Sequence, residues 1–370
     1  MPYKKKVNEQ FVNLALNKFF WEMSRFNKLI VKNITRETPT AIVVTFEVPE
    51  NLTDNYKFLP GQYVNLKHII EDKEVRRAYS ICSIPSEKDL SVAIKEVAGG
   101  LFSTFANQSL TVGTAIDVSP PEGRFFIETD AANDNYYGGV AAGSGISPII
   151  SIAKAVLHNE PNSKFILLYG NKSIADTIFY NEIATLLKTY KDRFFVQYMF
   201  SQAKEPNSLT GRIERPTIQY TFNNKHKGNY SKFFVCGPED MIYNATSVFK
   251  ESGYPEDLIK FELFTTSEKG SFVPVSNDNT KVTVILDDEE HTFEMSQKDS
   301  LLKALNIQGI DAPQSCLGGV CSSCICKILD GEVVLAKNSV LTDQEIASGL
   351  TLSCQAFPTS KEIVIDFDNV

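Results

Sequence analysis

The chain has 370 residues, of which 43% are hydrophobic and 22% are charged, a composition typical of globular proteins. This length predicts two or three domains, each able to bury its own core. The net charge of −8 at pH 7 argues against nucleic acid as a partner, because binding to phosphates requires a positive surface.

The beginning of the chain gives little evidence of targeting. No run of 18 apolar residues is present, so the sequence predicts no transmembrane helix and no membrane partner. Residues 1–24 form an N-terminal extension with Phe11, Leu14, Ala15 and Phe19 at roughly helical spacing, but it lacks the features of a signal peptide. The seven cysteines, four of them in one motif, fit a reducing cytoplasm better than a disulfide-bonded exterior.

Three regions follow the extension. Residues 25–130 contain short apolar segments separated by turn residues, which predicts an antiparallel β-barrel with one helix after Gly100. Residues 131–268 alternate strands and helices, which predicts an α/β domain with a parallel sheet covered on both faces. Residues 269–279 are predicted to be a linker, and residues 280–370 a small α+β domain with a cysteine-rich loop.

The negative charge is concentrated in the last of these regions. Residues 280–370 contain 6 Lys and 14 Asp or Glu, a balance of −8 that equals the charge of the whole chain. An acidic domain can be steered toward a basic protein surface, but the same charge can simply keep a small domain in solution. This region is therefore a candidate docking face for a protein partner.

The cysteine-rich loop carries the most specific motif of the sequence. Cys316, Cys321 and Cys324 are spaced C-x4-C-x2-C, and Cys354 follows after 29 intervening residues. This spacing is that of plant-type ferredoxins, which hold a [2Fe–2S] cluster. A zinc site is the alternative, but zinc ribbons favour two C-x2-C pairs and this chain has one. We predict that these four cysteines are the metal ligands of a [2Fe–2S] cluster.

The predicted barrel contains Arg77, Tyr79 and Ser80 in an R-x-Y-S element on one strand. An Arg beside an aromatic ring and a hydroxyl can clamp a pyrophosphate, stack on a planar ring and hydrogen-bond its edge. A Gly-Gly pair ending at Gly100 then precedes the predicted helix, where backbone N–H groups favour a phosphate. Ser103 in this helix could contact the same ligand or serve only as the helix N-cap.

Gly143, Ser144 and Gly145 open a G-S-G-I-S-P motif that follows an apolar strand and begins a predicted helix. Glycines at this position free the backbone to hold a dinucleotide pyrophosphate, and a Gly-rich turn without a ligand is the alternative. Lys172 and Ser173 follow the next strand, where an NAD-specific site usually has an acidic residue. A cation there favours a 2′-phosphate, so we expect NADPH, with NADH possible.

Together these motifs resemble the ferredoxin–NADP reductase superfamily. R-x-Y-S, Gly-Gly-x-x-Ser, G-S-G-I-S-P and Cys-Gly-Pro occur in the family's order over about residues 26–268, and the cysteine motif extends the resemblance to the C-terminus. The resemblance implies a flavin-binding barrel, an α/β nicotinamide domain and a β-grasp ferredoxin domain. G-S-G-I-S-P departs from the family's G-T-G-I-A-P form at two residues but keeps the hydroxyl at Ser144.

The resemblance also implies roles for individual residues. Tyr79 would lie against the isoalloxazine of FAD, Ser80 near flavin N5, and Cys236 beside the nicotinamide where hydride passes; these are the candidate catalytic residues. A Cys that closes an apolar strand is, by itself, more often simply buried. The cofactor-binding residues implied are Arg77, Tyr79, Ser80, Ile94, Lys95, Gly100, Leu101 and Ser103 for FAD, and Gly143, Ser144, Gly145, Lys172, Ser173, Gly237 and Pro238 for the nicotinamide dinucleotide.

The domain order is similar to that of the reductase components of multicomponent oxygenases. It implies a route for electrons from NADPH through FAD and the [2Fe–2S] cluster to a terminal oxygenase. The segments EVRRAYSICSIP, PPEGRFF, GVCSSCICKILDGEV and LSCQAFP resemble reductases whose partner is a diiron oxygenase, which implies a diiron acceptor. Two alternatives remain open: the reductase of another ring- or steroid-hydroxylating system, and a redox-sensing or scaffolding component without turnover. The intact nicotinamide motifs argue against the second alternative.

Overall fold

The computed structural model describes residues 26–264 and 278–370, which form three main β-sheets. The N-terminal extension 1–24 and most of the predicted linker 269–279 lie outside the described residues. Within the described ranges, no helix has both the length and the apolar character needed to cross a bilayer.

The first sheet is antiparallel and closes into the predicted barrel. Its strands are β1 (Asn27–Thr38), β2 (Ala41–Glu47), β3 (Tyr63–Ile70), β4 (Lys73–Ser80), β5 (Leu90–Lys95) and β6 (Ala115–Val118), with helix α1 (Leu101–Gln108) between β5 and β6. The strand order is β4-β3-β6-β1-β2-β5, and a bridge between Ile81 and Val92 joins the two ends. Alternate residues face the interior, where Leu29, Val44 and Phe46 are completely buried.

The second sheet is parallel and has helices on both faces. Its strands are β7 (Tyr136–Ala142), β8 (Lys164–Asn171), β9 (Phe194–Phe200), β10 (Ser208–Thr210), β11 (Tyr230–Cys236) and β12 (Ile259–Glu262), and its helices are α2 (Ile146–Asn159), α3 (Tyr180–Thr189), α4 (Arg215–Gln219) and α5 (Glu239–Glu251). The strand order β10-β9-β8-β7-β11-β12 reverses its direction between β7 and β11. Ligands of such sheets bind at the carboxyl ends of the strands at this reversal.

The third sheet belongs to the C-terminal region. Its elements are β13 (Asn279–Leu286), β14 (Glu289–Ser296), α6 (Leu301–Ile307), β15 (Ile325–Asp330), β16 (Val333–Leu335), α7 (Asp343–Ala347), β17 (Leu350–Leu352), β18 (Ala356–Pro358) and β19 (Glu362–Asp366). The sheet order is β14-β13-β19-β15-β17, and β16 and β18 form a separate pair. Leu301, Leu302 and Leu305 of α6 are buried against this sheet. The predicted combination of barrel, parallel sheet and α+β ferredoxin domain is confirmed.

The barrel and the parallel sheet share an apolar core. Phe125, beyond the last barrel strand, packs edge-on against Phe234 of β11, with ring centroids 5.6 Å apart. The Ser151 hydroxyl of α2 donates a hydrogen bond to the Ser83 carbonyl oxygen at 2.7 Å. Because packed apolar side chains and a buried hydrogen bond both cross this boundary, the two domains have a fixed relative orientation.

Lys154 of α2 provides a test of this boundary. Its side chain is only 10% exposed, and its Nζ lies 3.1 Å from Glu87 Oε1 on the barrel side and 3.0 Å from Glu182 Oε1 on α3. Replacing Lys154 with Met leaves two carboxylates that still reach water. We therefore expect a loss of about 1–2 kcal/mol in the free energy of unfolding, measured by urea denaturation. The same change at the exposed Lys188 is the control, and equal stability of the two variants would contradict the expected role of Lys154.

Candidate functional site

The first candidate site lies at the carboxyl ends of β7 and β11, where the strand order reverses. Residues Gly143–Gly145 form a short 3₁₀ turn between β7 and α2. A Cβ on Gly145 would lie 2.2 Å from the carbonyl oxygen of Cys236, at the end of β11. The two loops therefore touch through backbone alone, and this close approach explains why the position requires glycine.

A cavity of about 470 Å³ opens in front of this turn. It brings together most of the predicted nicotinamide residues, which come from loops far apart in the sequence. Those that line it are Gly143, Ser144, Gly145, Lys172, Gly237 and Pro238. Its charged lining residues are Lys95, Lys172, Arg212 and Asp176, three cations against one carboxylate. The cavity is therefore net positive and suited to the phosphates of a dinucleotide.

Two predicted residues, Ser173 and Cys236, do not line this cavity. The Ser173 hydroxyl donates a hydrogen bond to Asp176 Oδ2 at 2.6 Å, so it orients a carboxylate that does line the cavity. Cys236 is completely buried, and burial raises the pKa of its thiol well above the usual value. The Cys236 side chain is thus a neutral thiol inside the sheet, and its backbone is the part that contacts the Gly145 turn.

A second cavity, of about 340 Å³, lies on the barrel between the end of β4 and the start of α1. The predicted FAD residues that line it are Arg77, Tyr79, Ser80, Lys95, Gly100 and Ser103. The ring of Tyr79 packs against Phe102 of α1, with centroids 5.6 Å apart, and this contact holds the phenol at the cavity wall. A cation, an aromatic ring, a hydroxyl and a Gly-Gly turn in one cavity fit a flavin dinucleotide.

Two residues implied by the resemblance, Ile94 and Leu101, do not line the second cavity. Ile94 is completely buried in the barrel core, whereas its neighbours Ala93 and Lys95 line the cavity. The difference follows from strand geometry, because successive side chains of β5 point to opposite faces of the sheet. Leu101 is 40% exposed at the first position of α1.

The structure decides against one interpretation of Ser103. The N-cap of α1 is Gly100, so Ser103 lies inside the first helical turn. Its hydroxyl accepts a hydrogen bond from the Val97 N–H at 3.1 Å and donates to the Gly100 carbonyl oxygen at 3.3 Å. Ser103 therefore closes the Gly-Gly turn while also lining the cavity.

Glu262 and Phe264 are site residues that no sequence motif indicated. Glu262 ends β12, and its Oε2 accepts a hydrogen bond from the Ser80 hydroxyl at 3.2 Å. Burial raises the pKa of the Glu262 carboxyl to about 8, so it is largely protonated at pH 7. The only signal in the sequence was the segment FELF, in which this acidic residue lies between two phenylalanines at the end of a strand.

The four cysteines of the motif come together at one side of the third sheet. Hydrogen bonds from the thiols of Cys321 and Cys354 lower the pKa of Cys316, and a hydrogen bond from Cys354 lowers that of Cys324. The Gly318 N–H also donates to Cys316 Sγ at 3.4 Å. The four thiols therefore lie close enough to interact with one another.

The four thiols are the donor set that a [2Fe–2S] cluster needs, because such a cluster divides its four thiolates between two irons. In the described part of the chain, no group of three or more His, Cys, Asp or Glu side chains is already arranged to hold a single metal ion. The choice of the cluster over zinc therefore follows from the spacing of the cysteines along the chain.

The cysteine loop also forms part of the wall of the second cavity. Ser315, Cys316, Val320 and Cys321 line it opposite the R-x-Y-S element. The Ser315 hydroxyl is buried, and within the described residues it has no hydrogen-bond partner. This hydroxyl, next to Cys316 in the sequence, is available to a bound group.

The two cavities adjoin each other. Lys95, Ser144 and Phe264 line both of them. A ligand in the first cavity and a ligand in the second would therefore meet at these shared residues, and Phe264 provides an aromatic surface at that point.

The contact at Gly145 leads to a direct test of the first cavity. A methyl group at this position would overlap the Cys236 carbonyl, so Gly145→Ala must separate the two loops that hold a dinucleotide. We expect at least about a tenfold loss of NADPH affinity, measured by titration, with unchanged flavin content. Gly253→Ala adds the same methyl group into open space far from the cavity, at a φ of +91° that disfavours alanine, and is therefore the control for general destabilisation. Wild-type affinity in Gly145→Ala would contradict the assignment.

Comparisons with known proteins agree with the three parts of the site. Residues 28–127 match the model of an oxidoreductase FAD-binding domain, residues 140–247 that of an oxidoreductase NAD-binding domain, and residues 284–359 that of a 2Fe-2S iron-sulfur cluster binding domain. Among solved structures, phthalate dioxygenase reductase superposes with a TM-score of 0.55 at 21% identity, covering 92% of this chain and 98% of that one. This structural likeness shows the fold.

Similarity to curated proteins extends over nearly the whole chain. A component of the 1,2-phenylacetyl-CoA epoxidase of Escherichia coli is 36% identical over 94% of this chain and 99% of its own length. The ferredoxin reductase component of 3-ketosteroid-9-alpha-monooxygenase from Rhodococcus rhodochrous is 30% identical over 93% and 97%. The chain therefore belongs to the family of oxidoreductases that join an FAD-binding domain and an NAD-binding domain to a C-terminal [2Fe–2S] ferredoxin domain, within the ferredoxin–NADP reductase superfamily.

Proposed function

We propose that this protein is an NADPH-dependent reductase that passes electrons from NADPH through FAD and the [2Fe–2S] cluster to a terminal oxygenase. One observation carries the proposal: Cys316 and Cys321 line the same cavity as the flavin motif, and that cavity adjoins the nicotinamide cavity at Phe264. Three groups bound at these positions would form a row with the flavin in the middle. FAD supplies the chemistry that links them, because it accepts electrons in pairs and releases them singly.

The residues around the flavin cavity have separate tasks in this scheme. Arg77 would hold the pyrophosphate of a bound FAD, and Tyr79 would present its aromatic ring to the flavin. The Ser80 hydroxyl is oriented by Glu262, with which it shares a hydrogen bond. Phe264 would offer its ring at the place where nicotinamide and flavin approach, since it lines both cavities.

Preference for NADPH is supported by the charges of the first cavity. Lys172 was the predicted cation, and Arg212 adds a second cation from a loop beyond β10. Asp176 is the opposing feature, because a carboxylate suits the free 2′-hydroxyl of NADH. Ser173 already donates to this carboxylate at 2.6 Å, so part of its hydrogen-bonding capacity is used within the protein. The balance favours a 2′-phosphate.

We further propose a diiron oxygenase of the phenylacetyl-CoA epoxidase type as the electron acceptor. The segments EVRRAYSICSIP, PPEGRFF, GVCSSCICKILDGEV and LSCQAFP resemble the reductase component of that system, and the 36% identity to the Escherichia coli protein supports this choice. The ferredoxin region, which carries the whole net charge of −8, is the proposed docking face for a basic surface of the oxygenase.

A ketosteroid oxygenase is the second candidate acceptor, supported by the 30% identity to its reductase component. The two are distinguished by mixing the reduced protein with purified oxygenase components of each system and measuring product formation. Epoxidation of phenylacetyl-CoA supports the first candidate, and product formation only in the ketosteroid system supports the second. A reductase that reduces neither oxygenase would contradict both.

The cysteines provide the test of the electron route. We expect the Cys321→Ser variant to lose the cluster and, with it, the ability to reduce cytochrome c. NADPH should still bleach its flavin, because hydride transfer does not need the third domain. Cys326→Ser is the matched control, since Cys326 is a completely buried thiol on β15 outside the motif. Absorption spectra and iron content are measured for both variants. The proposal would be contradicted if Cys321→Ser kept an intact cluster. It would also be contradicted if NADPH failed to bleach the flavin of the wild-type holoprotein.

Lys172 provides the test of coenzyme choice. Loss of its positive charge removes an interaction that only a 2′-phosphate makes, so Lys172→Ala should raise the KM for NADPH about tenfold and leave the KM for NADH nearly unchanged. Steady-state kinetics with both coenzymes measure the difference, with Lys188→Ala as the control. An equal rise for both coenzymes would show that Lys172 does not contact the 2′-phosphate.

Glu262 gives the reaction a predicted pH dependence. Because its pKa is about 8, the carboxyl is neutral below this pH and negative above it. A negative charge beside the flavin opposes the gain of electrons, so flavin reduction by NADPH should slow as the pH rises through about 8. Stopped-flow rates measure the profile. Glu262→Gln should remove this inflection. Glu214→Gln, a change at an exposed residue, is the control and should keep it. An inflection that persists in Glu262→Gln would contradict the assignment.

A further inference from the structure

Tyr63 of the barrel reaches into the loop that carries the cluster cysteines. It is the first residue of β3, and its side chain is only 3% exposed. Its hydroxyl lies 2.7 Å from Ser323 Oγ and 3.4 Å from Ser322 Oγ. Both serines stand between Cys321 and Cys324, so a single tyrosine of the flavin-binding domain shares hydrogen bonds with the C-x2-C segment of the ferredoxin domain.

The position of this ring is fixed by the barrel. The Tyr63 N–H donates to the Glu122 carbonyl oxygen at 2.9 Å, and the Glu122 N–H donates back to the Tyr63 carbonyl oxygen at 2.9 Å. A Cβ on Gly123 would lie 2.8 Å from Tyr63 Cδ1, so the ring packs directly on a glycine backbone. Since the ring cannot shift without breaking this packing, the hydroxyl is held at one place relative to β3 and β4.

The same ring also belongs to the wall of the flavin cavity. Tyr63 lines it together with Tyr79 and Ser80 of the flavin motif and with Cys316 and Cys321 of the cysteine loop. Tyr63 lies directly opposite Ser80 in the barrel sheet. The adjoining residues are hydrogen-bonded, since the Ile81 N–H donates to the Gln62 carbonyl oxygen at 2.8 Å. Tyr63 is thus a single residue that lies beside both the flavin motif and the cysteine loop.

Two ion pairs also join these two domains. Arg76, whose side chain is 17% exposed, lies 2.9 Å from Asp311, which is 58% exposed, and Arg124 pairs with Glu345. Exposed ion pairs contribute little and are weakened by salt. A buried hydrogen bond between hydroxyls is directional, and its loss leaves a buried polar group without a partner. The Tyr63 contact is therefore the one suited to set the distance between flavin and cluster.

We propose that Tyr63 is a positioning residue for electron transfer: its hydroxyl ties the segment between Cys321 and Cys324 to the edge of the flavin cavity and fixes the distance from flavin to cluster. The inference rests on the proposed route of electrons. Each transfer takes one electron from reduced FAD and adds one to the oxidised cluster, and no bond is made or broken. Tyr63 is neither oxidised nor reduced.

Rapid mixing of the holoprotein with NADPH in the absence of oxygen separates the two steps. Bleaching of the flavin band reports hydride transfer, and bleaching of the iron–sulfur band reports the subsequent step. We expect Tyr63→Phe, which removes only the hydroxyl, to slow cluster reduction about three- to tenfold relative to flavin reduction, the range that one hydrogen bond supplies. A variant that folds poorly would instead show slower reduction of both the flavin and the cluster. A variant that loses cofactors would contain less iron and flavin.

Two further variants make the test specific. Ser323→Ala removes the other partner of the hydrogen bond and should slow the same phase, and the double variant should be no slower than the slower single variant, because both changes delete one interaction. Tyr56→Phe is the control, since the Tyr56 hydroxyl also makes a buried hydrogen bond in the barrel, to the Val118 carbonyl oxygen at 2.7 Å, away from the cluster loop. Tyr56→Phe should leave the ratio of the two rates unchanged.

The outcomes separate the inference from the function on which it rests. If NADPH does not bleach the flavin of the wild-type holoprotein, the proposed route is wrong and the inference is overturned with it. If the flavin is bleached and Tyr63→Phe retains the wild-type ratio of the two rates, only the inference is overturned. A lower ratio in Tyr63→Phe and Ser323→Ala, without an additive effect in the double variant, supports it.

Discussion

The packing of the barrel against the parallel sheet is the constraint on which the rest of the site depends. Phe125 contacts Phe234 and Ser151 bonds to Ser83, so the carboxyl ends of β7 and β11 face the barrel. Because this boundary is filled by side chains, the two cavities adjoin at a fixed place. Hydride transfer needs reacting atoms nearly in contact, and a well-packed boundary helps to hold the two sites at a fixed separation.

The third domain is held differently. Its interface with the barrel combines exposed ion pairs with a buried hydrogen bond between Tyr63 and Ser323, and Val320 extends its apolar contact toward the parallel sheet. An electron can pass across a gap that a hydride cannot, so a smaller interface is sufficient here. The same acidic domain must also present a surface to an acceptor, and a modest internal interface leaves much of its charge exposed to solvent.

The sequence predicted the parts of the site that lie close together along the chain. The cysteine spacing, the G-S-G turn and the R-x-Y-S element each place their residues through local geometry, and the fold followed from strand and helix patterns. Glu262 and Tyr63 were missed because their partners are 182 and 260 residues away, and only tertiary packing brings them together. Ile94 was assigned from the resemblance, although alternation along β5 directs its side chain into the core.

The central claim is that one chain holds a flavin and a two-iron cluster side by side. Quantification of FAD, iron and acid-labile sulfide in the purified protein, together with its absorption spectrum, tests this claim most directly. The account predicts flavin bands and about two irons and two sulfides per FAD. A colourless protein with about one zinc ion per chain would contradict it.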